Sequence, residues 1–440
     1  MLVPTPTGKM TRMARRRPVC ALVQLTAVVA LGFAGVSSAA TTSDSPPRLP
    51  FCGWWFLTTA QSFNVALPDT SAAYWTTPFL AEPGLKIVVK GQFPEARFMS
   101  LTVYDNAGGT FTRNGVTSAL VDYEIRPDAG TANPFRTTTG RLGRFTITVQ
   151  RHVARSGRNV IPMVPASEGP GIVPPGVGFI VYRIYLPRSG SFDSVPLPTL
   201  SLSRHGHVDP LATCPWQASG GGLDGIRPTP PPARRTTAIA AQAATPQFFR
   251  PKAATTNSFF PNVANAYLAA TFTPAAGSVV VVRGKAPSTP TGSTALPWPS
   301  ASSDLRYWSL CNNENVSPFP VVVVTDPQTG GSIYGCSADL DTPVVDGSYT
   351  YVLSSLADRP ANATKANGIT WLPYSSRQVE QVLVFRNMLG QAFPASVQHV
   401  PQDGDPASAR SAMGAYYPQI ATCAASTFAA GGATSCSAGR

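Results

Sequence analysis

The sequence predicts an all-β protein made of two tandem, related β-sandwich or jelly-roll-like domains. The first observation is local: short β-branched runs alternate with turns in a chain of 440 residues that holds 44 Pro and 37 Gly. Such runs between Gly and Pro clusters are typical of strands. Helical periodicity is scarce, and residues 408–416 are at best a short helix. The second observation is an internal repeat.

Residues 73–94 align without a gap on residues 266–287, and eight of the 22 positions are identical. Both segments contain a strand pattern that begins just after one Gly and ends at another. Shorter matches follow in the same order, so the chain consists of two copies of one unit. The predicted boundaries are a first copy at 41–218, a Pro/Ala-rich linker at 219–257, a second copy at 258–423 and a flexible tail at 424–440.

Residues 1–40 read as a secretory signal peptide. A cationic segment at 9–17 precedes the apolar run Val19–Val36, and Ser38-Ala39-Ala40 provides a small-residue cleavage site. No later segment has the length and apolarity of a membrane span. The sequence therefore predicts a secreted protein, extracellular or associated with the cell wall. Removal of five positive charges with this peptide lowers the net charge from +12 to +7.

Six of the seven cysteines remain after cleavage, and an even number in an exported protein predicts disulfides. Cys311 and Cys336 lie in neighbouring strand-like segments and are expected to pair. Two further pairs are expected at the ends of the copies: Cys52–Cys214 and Cys423–Cys436. These two assignments stay open, because Ala212-Thr213-Cys214 matches Ala421-Thr422-Cys423 while the second copy has no counterpart of Cys52.

Charged residues recur at matching places in both copies. These are two arginines and two acids per copy: Arg97, Asp122, Glu124 and Arg183 in the first, and Arg306, Asp339, Asp341 and Arg386 in the second. Strand alternation would place the two acids of a copy on one face. Because buried charges are almost always paired, we expect a salt-bridge network within each copy, with Arg97 and Arg183 bonded to Asp122 and Glu124.

Two functional alternatives use the same acids. Together with Asp128 or Asp346 they could supply oxygen ligands to calcium, the one cofactor that the sequence leaves open. A pair of carboxylates could also serve glycoside hydrolysis. Two acids two residues apart are a weak pattern for either chemistry.

Residues present in only one copy are the other candidates. His152, His205, His207 and Asp209 belong to the first copy, where they could hold a metal or act as acid and base. Residues 41–244 carry 18 Lys and Arg against 12 Asp and Glu, whereas residues 245–440 carry 11 against 10. The basic excess of the first copy is either a solvated surface or a contact with anionic polymer. If Trp298 and Trp371 are exposed, they could form a platform for stacking sugars.

Several classes are disfavoured. The chain lacks a GxSxG elbow, an HExxH motif, a P-loop, a dinucleotide fingerprint and Cys/His zinc spacing. No nucleic-acid-binding motif accompanies the positive charge. The blocks ARFMSLTVYD and VYRIYLPR of the first copy, and LRYWSLCNNEN of the second, resemble uncharacterised exported β-rich proteins of actinobacterial type. This resemblance implies an all-β fold and export, and it implies no activity.

These observations predict a secreted cell-envelope or extracellular binding protein, with polysaccharide or an anionic wall polymer as its partner. The competing hypothesis is a secreted hydrolase with its active site in the first copy. A purely structural surface protein is the third.

Overall fold

The computed structural model describes residues 50, 52–138, 142–154, 158–164, 171, 173–215, 246–252 and 259–436. The predicted signal peptide lies outside these residues, as does most of the predicted linker. The prediction of an all-β fold is confirmed, because strands dominate and the described residues contain only two short α-helices, α1 (Pro406–Met413) and α2 (Ala425–Gly431).

The strands of the first copy form two main sheets. In chain order they are β1 (Phe56–Thr58), β2 (Ala72–Leu80), β3 (Lys86–Gln92), β4 (Ala96–Tyr104), β5 (Thr112–Arg113), β6 (Val116–Thr117), β7 (Ala119–Val121), β8 (Arg144–Gln150), β9 (Val160–Pro162), β10 (Val177–Pro187), β11 (Thr199–Arg204) and β12 (His207–Leu211). One sheet has the order β1-β2-β10-β4-β7 and the other β12-β11-β3-β8-β9. Alternate side chains of β3 and β8, such as Ile87 and Ile147, fill the core between the two sheets.

The second copy repeats this plan. Its strands are β13 (Asn265–Phe272), β14 (Ser278–Lys285), β15 (Tyr307–Glu314), β16 (Val323–Thr325), β17 (Ser332–Tyr334), β18 (Cys336–Ala338), β19 (Val344–Val345), β20 (Ser348–Ser354), β21 (Thr370–Pro373), β22 (Gln381–Met388) and β23 (Gln419–Ala424). The sheet β13-β22-β15-β18 corresponds to β2-β10-β4-β7, and β20-β14-β23 corresponds to β8-β3-β11. Even the parallel pairing of β8 with β9 recurs as β20 with β21.

The register assigns the last strand of each copy differently from the sequence match at the cysteines. Val88 of β3 lies opposite Ser201 of β11, and its counterpart Val281 of β14 lies opposite Ala421 of β23. Ala421 therefore corresponds to Ser201 and not to Ala212. The short Ala-Thr-Cys match is a coincidence of composition, because three residues cannot specify a register.

The two copies belong to one compact unit. Phe98 and Tyr185 of the first copy share a buried cluster with Trp298, Tyr307 and Met388 of the second. The sheets β2-β10-β4-β7 and β13-β22-β15-β18 thus contribute to the contact between the copies as well as to their own cores. This explains why β4 and β22 are buried at every residue, whereas β3 alternates between buried and exposed positions.

Two predicted boundaries are wrong. The linker was expected to reach residue 257, but Phe248 is buried in the second core and Phe249 forms a bridge with Ala269. The tail after residue 423 was expected to be flexible, but it forms α2, whose Phe428 is buried against Val281 and Trp371 of the second copy. Both segments have few apolar residues, so burial of one or two aromatic rings decides their structure.

The expected disulfide Cys311–Cys336 is confirmed, and the four cysteines whose pairing the sequence left open form Cys52–Cys214 and Cys423–Cys436. Cys52–Cys214 links the beginning and the end of the first copy, and Cys423–Cys436 fastens the segment after β23. Within the described part of the chain, no helix combines the length and the apolarity that a membrane span requires.

The buried position of Phe428 gives a test of the order in the last segment. Phe428→Ala should lower the free energy of unfolding by about 3–5 kcal/mol, the usual cost of removing a buried ring. Urea-induced unfolding measures this change. The control Ser426→Ala, an exposed position of the same helix, should change it by no more than about 0.5 kcal/mol. Equal stability of both variants would support a flexible tail.

Candidate functional site

The repeated charged residues meet at the contact between the copies. Arg97 of β4 bonds to Asp339 of the second copy, and Arg306, just before β15, donates from Nη2 to Oδ2 of Asp122 at 3.0 Å. The side chains of both pairs are at most 3% exposed. Arg306 also donates from Nε to the backbone oxygen of Arg97 at 2.8 Å. The arginine of each copy is therefore neutralised by the acid of the other.

The predicted pairing within each copy is thus wrong, and so is the predicted strand geometry of the acids. Asp122–Glu124 and Asp339–Asp341 each form a 3₁₀ turn instead of an extended strand. The turn buries Asp122 but leaves Glu124 exposed, with its Oε2 accepting the backbone N–H of Val121 at 3.1 Å. Asp341 is likewise exposed.

The second pair of arginines is also buried. Arg386 lies 3.7 Å from the carboxylate of Asp69 of the first copy, measured from Nη1 to Oδ2. Sequence reasoning missed Asp69 because the second copy has Asn262 at the matching position. Arg183 has no carboxylate partner among the described residues, and its Nη2 donates to the hydroxyl of Tyr104 at 2.9 Å and to the backbone oxygen of Phe260 at 3.2 Å.

These contacts weaken the calcium and glycosidase hypotheses. Asp122 and Asp339 are occupied by arginine, and Asp128 accepts a hydrogen bond from Thr146 at 3.2 Å. Among the described residues, only Asp69, Cys311 and Cys336 bring three potential ligand atoms together. Both of those cysteines are bonded to each other, so this group does not offer a set of metal ligands.

The histidines lie apart from the buried charges, on the surface. His205 occupies the turn between β11 and β12 with a φ of 48°, and His207 pairs with Asp209 at 2.9 Å, Nε2 to Oδ1. His152 is exposed as well. The ligand atoms of His205, His207 and Asp209 do not lie close enough together to hold one metal ion, so a metal role of this loop is not supported.

The condition for a sugar-stacking platform is not met. Trp298 and Trp371 are each only 9% exposed. The guanidinium of Arg306 lies over the ring of Trp298 at 5.4 Å, and that of Arg359 over Trp371 at 4.5 Å. Thr289 donates to Asp339 at 2.6 Å. The loop between β14 and β15 therefore serves the contact between the copies.

The clearest difference between the copies is the outer face of their second sheets. In the first copy this face, called the polar sheet face below, consists of Lys86, Val88, Lys90, Arg144, Thr146, Thr148, Ser201 and Ser203. All eight residues are exposed or partly exposed. They follow from strand alternation, since their neighbours Ile87, Ile147 and Leu202 point into the core.

The matching face of the second copy is covered. Lys86 and Val88 correspond to Val279 and Val281, which are buried in one cluster with Ile369, Trp371 and Phe428. Thr148 corresponds to Val352 of the same cluster, because each lies opposite the central valine. Arg283, the counterpart of Lys90, is exposed, and Ser348, Thr350 and Cys423 are partly exposed.

The polar sheet face offers cations and hydroxyls on an open, regular surface. Lys86 and Lys90 lie about 13 Å apart on one strand, as four residues of extended chain require. Lys90 lies opposite Thr146, and Gln92 opposite Arg144, on the neighbouring strand. Such a surface can bind an extended anionic or hydroxylated chain through several exposed contacts. Each contact is weak, and added salt weakens it further by screening.

The buried pair Arg306–Asp122 predicts a pH dependence. Burial raises the pKa of Asp122 from its ordinary 3.8 to about 6, against the lowering influence of Arg306. An acid whose pKa is higher in the folded than in the unfolded state stabilises the folded state at a pH below the unfolded value. This contribution is lost as the pH rises through the folded value of about 6. Between pH 4 and 7 the loss should reach about 2 kcal/mol.

Urea-induced unfolding between pH 4 and 7 measures this slope. Asp122→Asn, which resembles the protonated acid, should be close to the wild type in stability near pH 4 and should lack this component of the slope. Asp341→Asn, which removes an exposed negative charge, should retain it. Identical slopes in the wild type and Asp122→Asn would contradict the assignment.

Comparison with known proteins gives no family. No family model matches the chain, and no curated protein matches it. Among solved structures it is similar to an uncharacterised protein from Burkholderia cenocepacia, with 11% identity, a TM-score of 0.45 and coverage of 86% of this chain and 84% of that one. It is also similar to the VPA0106 protein from Vibrio parahaemolyticus, with 12% identity, a TM-score of 0.37 and coverage of 80% and 89%. At these values no inference about this chain is drawn from them.

Proposed function

We propose that this chain is an exported binding protein of the cell envelope or extracellular space, and that its polar sheet face holds an anionic polysaccharide or wall polymer. The observation that carries the proposal is the open, cationic face of the first copy at the place where the second copy is covered. The signal-peptide pattern and the three disulfides support an extracytoplasmic location.

Burial explains why this face is a better candidate than the repeated charges. Asp122 and Asp339 have their oxygens in contact with arginine inside the protein. Lys86 and Lys90 project into solvent with no ion pair among the described residues, so a ligand meets them without first breaking an internal contact. Exposed Arg126 and Arg158 of the same copy add to its positive field.

The matching face of the second copy differs from the polar sheet face because apolar side chains cover it. Replacement of Lys86 by Val279 and of Thr148 by Val352 makes that face apolar, and α2 with Phe428 then buries it. The first copy has retained polar side chains at both positions.

The hydrolase alternative receives no support from this geometry. Of its two candidate carboxylates, Asp122 is buried and paired with Arg306, and the exposed Glu124 accepts the backbone N–H of Val121. The histidines of the first copy lie on surface strands and loops. A general acid or base must reach the substrate by hydrogen bonding, which Asp122 cannot do from its buried position.

Affinity electrophoresis through gels with embedded polygalacturonate, a carboxylated polysaccharide, tests the proposal. The wild type should be retarded, and the retardation should fall as salt is added. Lys86→Glu/Lys90→Glu should weaken the affinity about tenfold, since the two lost surface contacts together are worth up to about 2 kcal/mol.

The matched control is Arg283→Glu, at the second-copy position that corresponds to Lys90. It reverses an exposed cation beside the covered face and should leave retardation nearly unchanged. Purified cell wall in a sedimentation assay extends the test to wall polymers, and neutral dextran serves as the uncharged control. Equal loss in both variants, or no binding of the wild type to any polymer, contradicts the proposal.

A further inference from the structure

The two matching arginines Arg183 and Arg386 have different surroundings. Each lies in the central strand of its sheet, opposite a serine of the next strand: Ser100 for Arg183 and Ser309 for Arg386. Each also donates from Nη2 to a backbone oxygen of the other copy, at Phe260 and Leu67 respectively. Only Arg386 has a carboxylate beside it.

That carboxylate, Asp69, is held by hydrogen-bond donors on several sides. The hydroxyl of Tyr307 lies 2.9 Å from both of its oxygens, and Ser309 donates to Oδ2 at 2.8 Å. The backbone N–H of Ser71 donates to Oδ1 at 3.0 Å. The Asp69 carboxylate is thus buried and surrounded by hydrogen-bond donors.

Asn262 occupies the matching place beside Arg183. The preceding Leu67 and Phe260 share the left-handed backbone, with φ of 57° and 51°. The backbone N–H of Asp69 donates to the hydroxyl of Tyr74, and that of Asn262 donates to the matching Tyr267. Oδ1 of Asn262 accepts the N–H of Ala264 at 3.1 Å, as Oδ1 of Asp69 accepts that of Ser71. Nδ2 of Asn262 therefore takes the place of the second carboxylate oxygen.

Several donors around this position have no partner among the described residues. They are Nδ2 of Asn262, Oγ of Ser100, Oγ1 of Thr102, and Nε and Nη1 of Arg183. All four residues are at most 2% exposed. Ser100 and Thr102 point to the same face of β4 as Arg183 does on β10, because residues two apart in a strand share a face.

The positive charge of Arg183 is not offset by its neighbours. Tyr74 lies under its guanidinium at 5.0 Å, and Tyr104 accepts its hydrogen bond. Burial raises the pKa of both tyrosines above 10, so both are neutral phenols near pH 7. A buried charge without a counter-charge is strongly unfavourable.

We propose that Arg183, Asn262, Ser100 and Thr102 bind a small monovalent inorganic anion, such as chloride, in place of the Asp69 carboxylate of the matching site. The unpartnered guanidinium and amide nitrogens are pure donors, and the serine and threonine hydroxyls can donate to an anion. A halide accepts from several donors at once and supplies the missing charge. Asn262 and Tyr267 also line a cavity of about 180 Å³.

Thermal unfolding in sodium chloride or bromide, compared with sodium gluconate at equal ionic strength, tests the site in solution. Because a ligand that binds only the folded state stabilises it, the wild-type midpoint should rise by about 2 °C or more in the halides. Asn262→Asp supplies the carboxylate internally, so its midpoint should show no halide-specific rise. Asn367→Asp, the same change at an exposed position, should respond as the wild type does.

Crystals of the wild type grown in bromide provide a second measurement that does not depend on the stability of any variant. An anomalous difference peak within about 3.5 Å of the guanidinium of Arg183 and of Nδ2 of Asn262 is expected. Absence of that peak would overturn the proposal. An equal halide response of the wild type and Asn262→Asp would also overturn it.

Discussion

The reciprocal pairing of Arg97 with Asp339 and of Arg306 with Asp122 is the constraint on which the rest of the structure depends. Two related sheets pack against each other, and each copy contributes a buried arginine and a buried acid to the contact. Removing these charges from water is costly, and separation of the copies would leave each arginine without its acid. The pairs therefore fix the register of the contact, and both copies form one compact unit.

This contact also determines where a ligand can bind. Each copy uses one sheet against the other copy, so the outer face of its second sheet is the surface that remains. In the second copy α2 and the segment around Trp371 cover that face with apolar side chains. In the first copy Lys86, Lys90 and Thr148 remain in solvent. The two copies have thus diverged in their outer faces while keeping the same charged contact.

Much of the fold follows from local pattern. The strands around Ile87 and Val281 can be predicted because β-branched residues alternate or cluster between glycines. The Cys311–Cys336 disulfide follows from the position of its cysteines in neighbouring strand-like segments, whereas the other two pairings stayed open. The segments at Phe248 and Phe428 were misassigned because a single buried ring leaves no periodic pattern. Asp69 was missed because sequence comparison between the copies highlights identity, whereas its role depends on the difference from Asn262.

The sequence by itself determined the all-β class, the duplication, the Cys311–Cys336 disulfide and most of the residues that carry buried charge, Asp69 excepted. Only the tertiary structure decided which acid neutralises which arginine, because Coulomb energy depends on distance in space and the partners lie in different copies. It likewise decided which sheet face stays open, since Lys86 and Val279 occupy the same place in the repeat and differ in what packs over them. The sequence contains the charged residues, whereas the packing of the two copies decides which of them form pairs.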